Sequence, residues 1–236
     1  MPMPELSAIV LCYRAESSII QVVEPLYEQL STAGVPFELV LVANYDEGRP
    51  DSTPAIVQEF AHARPCVRTL HQPKQGGMGW DMRCGLSAAD GEYCVIIDGD
   101  AQNPVEDVLR AYRELKRLGA DVVKGRRIAR FDGPYRRLIS IVYNLGFRIL
   151  FGTHLWDING KPKGMTRSAL ERMKLLSDDW FIDAEIVLEA QRLGMRIVEL
   201  PVIFRENEAR ASFVRGSAIV EFLTNMLRYR FRRTRR

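Results

Sequence analysis

Short apolar runs alternate with helical stretches along the first half of the chain, and this alternation limits the fold more than any other feature. Strands that are separated by helices are typical of βαβ units and of a mostly parallel sheet. The predicted strands cover residues 6–13, 37–44, 67–72, 93–98 and 120–125. The sequence therefore predicts an α/β protein whose mostly parallel, mixed central sheet is flanked by helices.

Four loops that follow predicted strands hold most of the side chains able to bind or react. They are LCYRAES (11–17), ANYDEGRPDS (43–52), DGDAQ (98–102) and KGRR (124–127). In open α/β sheets, ligands bind beyond the carboxyl ends of the strands. We expect these loops to meet at one edge of the sheet and to form a site of carboxylates, Arg and small residues there.

Asp98 and Asp100 come directly at the end of the fourth predicted strand, with a glycine between them. Two such carboxylates suit Mg²⁺ or Mn²⁺, which takes few protein ligands and completes its shell with water and phosphate oxygens. A clip for a metal–diphosphate is one interpretation. The other is an Asx-turn that leads into the next helix, for which Asn103 and Pro104 supply the predicted N-cap and first helical residue.

The glycine-rich stretch KQGGMGWDMRCG (74–85) matches no standard nucleotide motif. It lacks the GK[ST] of a P-loop, and it does not follow the first strand as a Rossmann fingerprint would. Its glycines either let the backbone pass close to a ligand or form a flexible loop. Catalysis by a His-activated Ser or Cys is not expected, because none of the three His residues lies in the strand-end loops beside a nucleophile.

A basic segment follows the fifth predicted strand. Arg136 and Ser140 are four residues apart and share one face of any helix there, and Arg forks with a hydroxyl suit a phosphate group. The cationic residues of the segment are Lys124, Arg126, Arg127, Arg130, Arg136 and Arg137. The apolar residues 138–155 that come next form either core or a helix that faces a membrane.

The C-terminus combines an apolar helical stripe with a basic tail. Residues 207–236 carry eight Arg against two Glu, and six of these Arg lie in the last nine residues. We divide the chain into a globular domain, 1–213, and a C-terminal amphipathic helix with an Arg-rich tail, 214–236. The stripe is either core or interfacial, and the tail is either solvated or docks on anionic lipid or nucleic acid.

The sequence indicates a cytoplasmic protein. No basic segment precedes the first apolar run, as it would in a signal peptide, and no apolar run approaches the ~18 to 20 residues that cross a bilayer. The four cysteines show no CxxC spacing, which argues against a zinc site or a disulfide scaffold and fits a reducing compartment. Peripheral attachment to the inner face of the membrane stays open.

An ordered series of motifs resembles the family 2 GT-A glycosyltransferases, and within them the branch of dolichyl- or polyprenyl-phosphate hexose synthases. The matching segments include VLCYRAESSI, VIIDGDAQNP, VVKGRR, RRLISIVYN, DINGKPKGMTR, FIDAEIVLEAQRLG and IVELPVIF. The resemblance implies a GT-A fold with the nucleotide-sugar at the carboxyl edge of the sheet. It also implies an inverting, metal-dependent transfer of a hexose from a GDP- or UDP-linked donor to a polyprenyl phosphate at the cytoplasmic membrane face.

The resemblance further implies roles for individual residues. Nucleotide-sugar contacts would come from Tyr13, Glu16, Asp46, Asp98, Asp100, Gln102 and Arg127. A Mg²⁺ or Mn²⁺ ion would be held by Asp98, Asp100 and Gln102. The catalytic groups would be Asp100, Arg127, Arg136 and Asp183. The acceptor would be bound by Arg136, Ser140, Asn159, Lys161, Glu185, Arg205 and Arg210, and the loop that lines the sugar pocket would contain Asp157, Asn159 and Lys161.

Two other functions remain open at this point. A phosphate acceptor is already ionised near neutral pH and needs no strong general base, whereas a glycan or small-molecule hydroxyl would need one, with Asp183 or Glu185 as candidates. The chain could also bind a metal–nucleotide without transferring a sugar. No nucleic-acid partner is expected, and a homodimer remains an open alternative.

Overall fold

The computed structural model of the protein describes residues 3–131, 134–205, 224–226 and 228–230, without the side chains of residues 130 and 134–136. In this part of the chain, seven strands form one sheet in the order β3-β2-β1-β4-β6-β5-β7. The strands are β1 (Leu6–Leu11), β2 (Phe37–Val42), β3 (Val67–Leu70), β4 (Tyr93–Asp98), β5 (Val122–Arg130), β6 (Lys163–Thr166) and β7 (Ile197–Phe204). β6 is antiparallel to both of its neighbours and the other pairs are parallel, which confirms the mostly parallel, mixed sheet.

Helices cover both faces of the sheet. They are α1 (Ile20–Thr32), α2 (Thr53–His62), α3 (Met78–Ala88), α4 (Glu106–Leu118), α5 (Pro134–Phe151), α6 (Arg167–Arg172) and α7 (Ile182–Arg192), with a short 3-10 helix at Glu16–Ile19 before α1. Alternate residues of β1 face opposite sides, as the strand period requires. Ala8 and Val10 pack with the helices α1, α2 and α4, whereas Ile9 and Leu11 pack with α3, α6 and α7.

β6 and β7 are strands that the sequence pattern did not predict. β6 is only four residues long and begins at Lys163, which is fully buried. β7 contains Pro201, which is tolerated because β7 lies at the edge of the sheet, where one side of the strand needs no backbone donor. Together these strands bring the second half of the chain into the same sheet as the first half.

The start of α4 corrects one prediction, and its end confirms another. The helix begins at Glu106 and not at Pro104, because the Asn103 side chain does not cap it: Asn103 Nδ2 donates to the Lys161 carbonyl oxygen at 2.8 Å. This bond ties the loop of residues 157–162 to the end of β4. Gly119 has a φ of 57° and ends the helix in the left-handed conformation that glycine favours.

α5 is apolar on two opposite faces. Phe147 is fully buried and packs in a third apolar cluster with Phe181, which directly precedes α7, and with Met226. The opposite side, called here the α5 outer face, is exposed and consists of Leu138, Ile141, Val142, Leu145 and Ile149. The inner face of α5 is therefore core, and the interpretation of residues 138–155 as a membrane-facing helix stays a prediction for the exposed outer face.

Of the predicted C-terminal stripe, Met226 lies among the described residues, and it is buried. Nearby, the Tyr229 ring contacts Phe151 and Phe181. The predicted domain boundary at residue 213 and most of the Arg-rich tail lie outside the described residues. Across the residues that are described, no helix combines the length and apolarity required to cross a bilayer.

Candidate active site

The carboxyl ends of six parallel strands lie at one edge of the sheet, as the sequence predicts. β4 and β5 are both antiparallel to β6, so they run in the same direction as each other. Lys163, the first residue of β6, pairs with Ile96 and with Lys124. The loop 157–162 that precedes β6 therefore lies at the edge where β4 ends, beside Asp98 and beside Arg127, which lies within β5.

Asp98, the last residue of β4, forms an ion pair with Lys161 of this loop. Lys161 Nζ lies 2.6 Å from Asp98 Oδ1 and 3.6 Å from the Met78 sulfur at the start of α3. The Lys161 side chain is only 3% exposed, whereas that of Asp98 is 32% exposed. Burial alone would lower the pKa of Lys161, but the negative charges of Asp98 and its neighbours outweigh it and raise that pKa. Lys161 is thus a buried cation beneath a partly exposed carboxylate.

Asp100 and Gln102 occupy a tight turn after β4. Asp100 Oδ1 accepts a hydrogen bond from the Gln102 backbone N–H at 3.1 Å, which is the Asx-turn geometry, and Ala101 between them has a φ of 59°. Gln102 Nε2 donates to the carbonyl oxygen of Arg205 at 3.1 Å, and the Arg205 N–H donates back to the Gln102 carbonyl oxygen at 2.8 Å. The turn is thereby joined to the end of β7.

Asp98 and Asp100 suit a divalent ion if other groups complete its coordination shell. Among the described residues, no group of three or more His, Cys, Asp or Glu side chains could hold a metal. Two carboxylates with neighbouring oxygens suit Mg²⁺ or Mn²⁺ when substrate phosphates supply further ligands. Since Gln102 Nε2 is engaged by Arg205, the amide oxygen is the atom that Gln102 would offer to the ion.

A polar cluster joins the ends of β1, β2 and β3. Tyr13 donates to Asp46 Oδ2 at 2.6 Å, and burial together with this hydrogen bond raises the pKa of Tyr13. Lys74 lies over the Tyr13 ring, with its ammonium 4.3 Å from the ring centre, and pairs with buried Asp81. Asp81 Oδ1 also accepts from Asn44 Nδ2 at 2.9 Å. The predicted Tyr13 and Asp46 are together, whereas Lys74, Asn44 and Asp81 lie in stretches noted in the sequence but were not predicted as site residues.

Burial raises the pKa of Asp81 even though Lys74 and Asn44 act in the opposite direction. Asp81 lies in α3, within the glycine-rich stretch, so this stretch brings a charged pair to the edge of the sheet rather than forming a bare loop. Glu16 lies nearby at the start of the 3-10 helix with a φ of 48°, and its backbone N–H donates to Thr53 Oγ1 at 2.7 Å. Its side chain is exposed.

Arg127 binds Asp157 through a two-pronged ion pair. Arg127 Nε and Nη2 donate to the two Asp157 oxygens at 2.7 and 2.6 Å, and the Arg127 backbone N–H adds a bond of 3.0 Å. Burial would raise the pKa of Asp157, but the Arg127 charge and hydrogen bonds hold it well below its usual range. The Arg127 guanidinium also lies 5.2 Å from the centre of the Phe204 ring. The Arg127–Asp157 ion pair therefore holds the loop 157–162 against β5.

Two further buried ion pairs lie beneath this edge. Lys163 Nζ donates to Asp183 Oδ1 at 2.6 Å, and burial lowers the pKa of Lys163 to about 8. Lys124 Nζ donates to Glu199 Oε1 at 2.9 Å, and burial also lowers the pKa of Lys124. Glu199 in turn accepts from the backbone N–H groups of the loop at residues 156 and 157. Lys124 belongs to the basic segment noted in the sequence, but neither its partner nor the role of Lys163 was expected.

The predicted acceptor residues are only partly brought together. Ser140 of α5 accepts from Asn144 Nδ2, and Asn144 Oδ1 accepts from the Ile158 N–H at 2.9 Å, so this part of α5 adjoins the loop that contains Asn159 and Lys161. Within this loop, Lys161 contacts the carboxylate of Asp98. The Arg136 side chain and all of Arg210 lie outside the described residues.

Two other predicted acceptor residues have partners within the protein. Glu185 Oε2 accepts from the backbone N–H groups of Leu176 and Ser177 at 2.9 and 2.8 Å, so this carboxylate holds the loop after α6. A role for Glu185 at the acceptor stays a prediction. Arg205 is exposed at the end of β7 and contributes its backbone to Gln102.

Comparison with known proteins identifies the family to which this chain is similar. A family model described as Glycosyl transferase family 2 matches residues 7–174. The chain is 31% identical over 199 residues to a polyprenol monophosphomannose synthase from Mycolicibacterium smegmatis, which covers 75% of this chain and 71% of that protein. It is 26% identical over 238 residues to a dolichyl-phosphate beta-glucosyltransferase from Trichomonas vaginalis, which covers 94% of this chain and 72% of that protein.

Solved structures with a similar fold include glucosyl-3-phosphoglycerate synthase from Mycobacterium tuberculosis. Its complex with Mn²⁺, uridine-diphosphate-glucose and phosphoglyceric acid has a TM-score of 0.72 at 18% identity, and the match covers 96% of this chain and 80% of that chain. Its complex with Mg²⁺ and uridine-diphosphate has a TM-score of 0.69 at 18% identity, with 96% and 79% of the two chains covered. At such low identity the likeness shows the shared fold alone.

Proposed function

The chain belongs to glycosyl transferase family 2, and from that premise we propose that it moves a hexose from a nucleotide-sugar to a polyprenyl phosphate. It is a glycosyltransferase with the GT-A fold, as its motifs predicted. The nature of the donor, the use of a metal ion, the acceptor and the site of action are our proposal. The observation that carries it is the meeting of Asp98 and Asp100 with Arg127 and Lys161 at the carboxyl edge of the sheet.

We assign the donor diphosphate to the end of β4. Asp98 and Asp100 would hold Mg²⁺ or Mn²⁺ with the amide oxygen of Gln102, and the ion, when bound, would neutralise the diphosphate that leaves. We place the nucleoside at the cluster of Tyr13 and Asp46, at the ends of β1 and β2. The Tyr13 hydroxyl and the Asp46 carboxylate can both form hydrogen bonds with it. We propose Glu16 as a further contact on its exposed side.

The protein's own charges would do the rest of the donor chemistry. Charge develops on the diphosphate as the glycosidic bond breaks, and cations that are fixed in advance stabilise it without reorganisation at that moment. Asp98 holds the Lys161 ammonium and Asp157 holds the Arg127 guanidinium, so both cations are already oriented. Holding donor and acceptor in line supplies a further part of the rate.

Two observations favour a phosphate acceptor. Asp183, the candidate base for a hydroxyl acceptor, is committed to buried Lys163, and an ionised phosphate needs no base. The α5 outer face exposes five large apolar side chains, from Leu145 at 47% to Ile149 at 77%. Its helix also contains Ser140, which adjoins the loop 157–162 through Asn144. A polyprenyl chain on this face would bring its phosphate towards the site.

The α5 outer face also supports peripheral contact with a membrane. Trp156 is 54% exposed beside it, with the Arg126 and Arg148 guanidinium groups 5.0 and 4.6 Å from its ring centre. An aromatic ring with basic neighbours next to an apolar helix face is the composition of interfacial helices. We propose that the protein works on the cytoplasmic face of a membrane, with the lipid acceptor drawn from that surface.

A donor and acceptor panel tests the proposal. The purified chain is incubated with GDP- and UDP-linked hexoses, Mg²⁺ or Mn²⁺, and either polyprenyl phosphate in vesicles or soluble hydroxyl acceptors, and the glycosylated product is measured. We expect transfer to the lipid phosphate that Asp100→Ala abolishes and Asp90→Ala preserves, because Asp90 lies at the opposite end of β4 in a surface pair with Arg68. Product on hydroxyl acceptors alone, or no turnover with any donor, contradicts the proposal.

A further inference from the structure

Lys161 places a permanent positive charge in the pair of carboxylates proposed to hold the metal. Its ammonium is 2.6 Å from Asp98 Oδ1, and its side chain is almost entirely buried while that of Asp98 is about one-third exposed. The cation therefore lies on the inner side of Asp98, and the outer side of the carboxylate remains open towards the edge of the sheet. Any divalent ion at Asp98 would share that carboxylate with Lys161.

The backbone around Lys161 is packed too closely to let the residue drift. A Cβ at Gly125 would lie 2.1 Å from the Lys161 carbonyl oxygen, and one at Gly160 would lie 2.1 Å from the Gly125 carbonyl oxygen. The same Lys161 carbonyl oxygen accepts from Asn103 Nδ2 at 2.8 Å. The loop thus lies backbone against backbone on β5 and is bonded to the end of β4, so the Lys161 stem starts from a fixed position.

The charges at the clip decide how a metal can bind. The Lys161 ammonium offsets the negative charge of Asp98, so the two carboxylates present less negative charge to an ion than they would without it. A divalent ion that binds alone meets a weakened negative site and a like charge on the same carboxylate, which is unfavourable at this range. An ion that arrives with a nucleoside diphosphate brings two or more negative charges, and these compensate both the ion and the Lys161 ammonium.

We propose that Lys161 is a resident counter-cation of the donor site, which makes the divalent ion bind together with the nucleoside diphosphate and not before it. The inference rests on the proposed function, since it takes the donor to be a metal–diphosphate held at Asp98 and Asp100. It gives Lys161 two opposite effects: the residue weakens binding of the free metal and strengthens binding of the metal-free nucleotide. A residue that merely holds the loop in shape would support both kinds of binding.

The test measures both affinities in wild-type protein and in Lys161→Gln. Binding of Mn²⁺ alone is followed by the electron paramagnetic resonance of the free ion, and binding of UDP and of GDP in EDTA by calorimetry. We expect Lys161→Gln to bind Mn²⁺ about tenfold more tightly, at the lower end of typical coupling between sites, and to bind the metal-free nucleotide more weakly. Lys116→Gln, which removes the same charge from the surface of α4 beside Glu5, should change neither affinity.

The outcomes separate this inference from the proposed function. Weaker binding of both ligands, or unchanged Mn²⁺ binding, in Lys161→Gln overturns the inference. Lys161→Met, which keeps the length of the side chain, repeats the test if the first variant does not fold. In wild-type protein alone, the preferred nucleotide should tighten Mn²⁺ binding by about tenfold, and equal Mn²⁺ affinity with and without it also overturns the inference. If wild-type protein binds neither nucleotide with Mn²⁺, the proposed function itself fails.

Discussion

Lys163 and Asp183 form a buried ion pair beneath the proposed site, with Lys163 Nζ 2.6 Å from Asp183 Oδ1. The ammonium is fully buried and also donates to the Ile158 carbonyl oxygen at 3.0 Å. Asp183 is therefore the counter-charge of a lysine that water does not reach. A carboxylate in that position cannot leave its partner to deprotonate a hydroxyl without exposing a buried charge, which favours an acceptor that needs no base.

Asp183→Asn should destabilise the fold. The change leaves the Lys163 ammonium buried without a counter-charge, and breaking one half of a buried pair costs about 3 to 5 kcal/mol. Urea unfolding measures this loss. The double variant Lys163→Met/Asp183→Leu, which replaces the pair with apolar side chains, should recover most of it. If the Asp183→Asn protein is stable and has lost only transfer to a hydroxyl acceptor, Asp183 acts as a base.

The same pair predicts a pH dependence of stability. Burial lowers the pKa of Lys163 to about 8 in the folded protein, whereas an unfolded lysine has a pKa of about 10.4. Between these values the unfolded state holds more protons, so the contribution of Lys163 to the free energy of unfolding rises with pH. From pH 7 to pH 10, the unfolding free energy of wild-type protein should rise relative to that of Lys163→Met/Asp183→Leu. If the wild-type value instead falls relative to that of the double variant, the lowered pKa of Lys163 is contradicted.

Arg127→Lys should impair transfer more than stability. A lysine keeps the positive charge but cannot make the two-pronged contact with Asp157, so the cation is no longer oriented. Losing one oriented group that stabilises developing charge typically costs about 10²- to 10³-fold in kcat. Steady-state kinetics of sugar transfer measures the loss. Arg126→Lys is the control, since Arg126 is the neighbouring residue but stacks on Trp156, and its kcat should stay within a few-fold of wild type.

Leu145→Gln/Ile149→Gln should release the protein from vesicles without harming the donor site. Each change removes an exposed apolar side chain from the α5 outer face, and burying such a side chain contributes roughly 1.5 to 3 kcal/mol. Vesicle co-sedimentation should fall by about tenfold or more, while hydrolysis of the nucleotide-sugar in solution stays unchanged. Leu176→Gln is the control, because Leu176 lies in the loop after α6, away from this face, and its exposure of 69% is between those of Leu145 and Ile149. Unchanged sedimentation of the double variant would rule out this face as the membrane contact.

Glu185→Ala should loosen the loop after α6 because two backbone N–H groups, those of Leu176 and Ser177, lose their acceptor. Leaving such groups without partners costs about 1 to 3 kcal/mol each. Glu185→Gln keeps an oxygen for both and should stay close to wild type in thermal unfolding. If the two variants are equally stable and both lose affinity for the acceptor, Glu185 binds the acceptor after all.

The five strands predicted from the sequence are β1 to β5, and the positions of their carboxyl ends followed from them. An apolar run that ends in polar residues is visible locally, and strands of one direction must end at one edge. Tyr13, Asp46 and Asp98 could therefore be placed at that edge before any contact was known. Arg127 was expected in a loop after the fifth strand and instead lies within β5, which continues to Arg130. The start of α4 could not, because Asn103 looks like an N-cap in sequence but bonds to the Lys161 carbonyl oxygen.

The sequence by itself determined the α/β class, the edge of the sheet and the carboxylate pair, since each depends on residues that are close along the chain. Only the tertiary structure decided what those carboxylates contact. Lys161 reaches Asp98 across 63 positions, and Lys163 reaches Asp183 across 20. Periodicity and spacing along the chain do not reveal such pairs. The two charges depend on each other only in the folded protein, where both are removed from water and each is the counter-ion of the other.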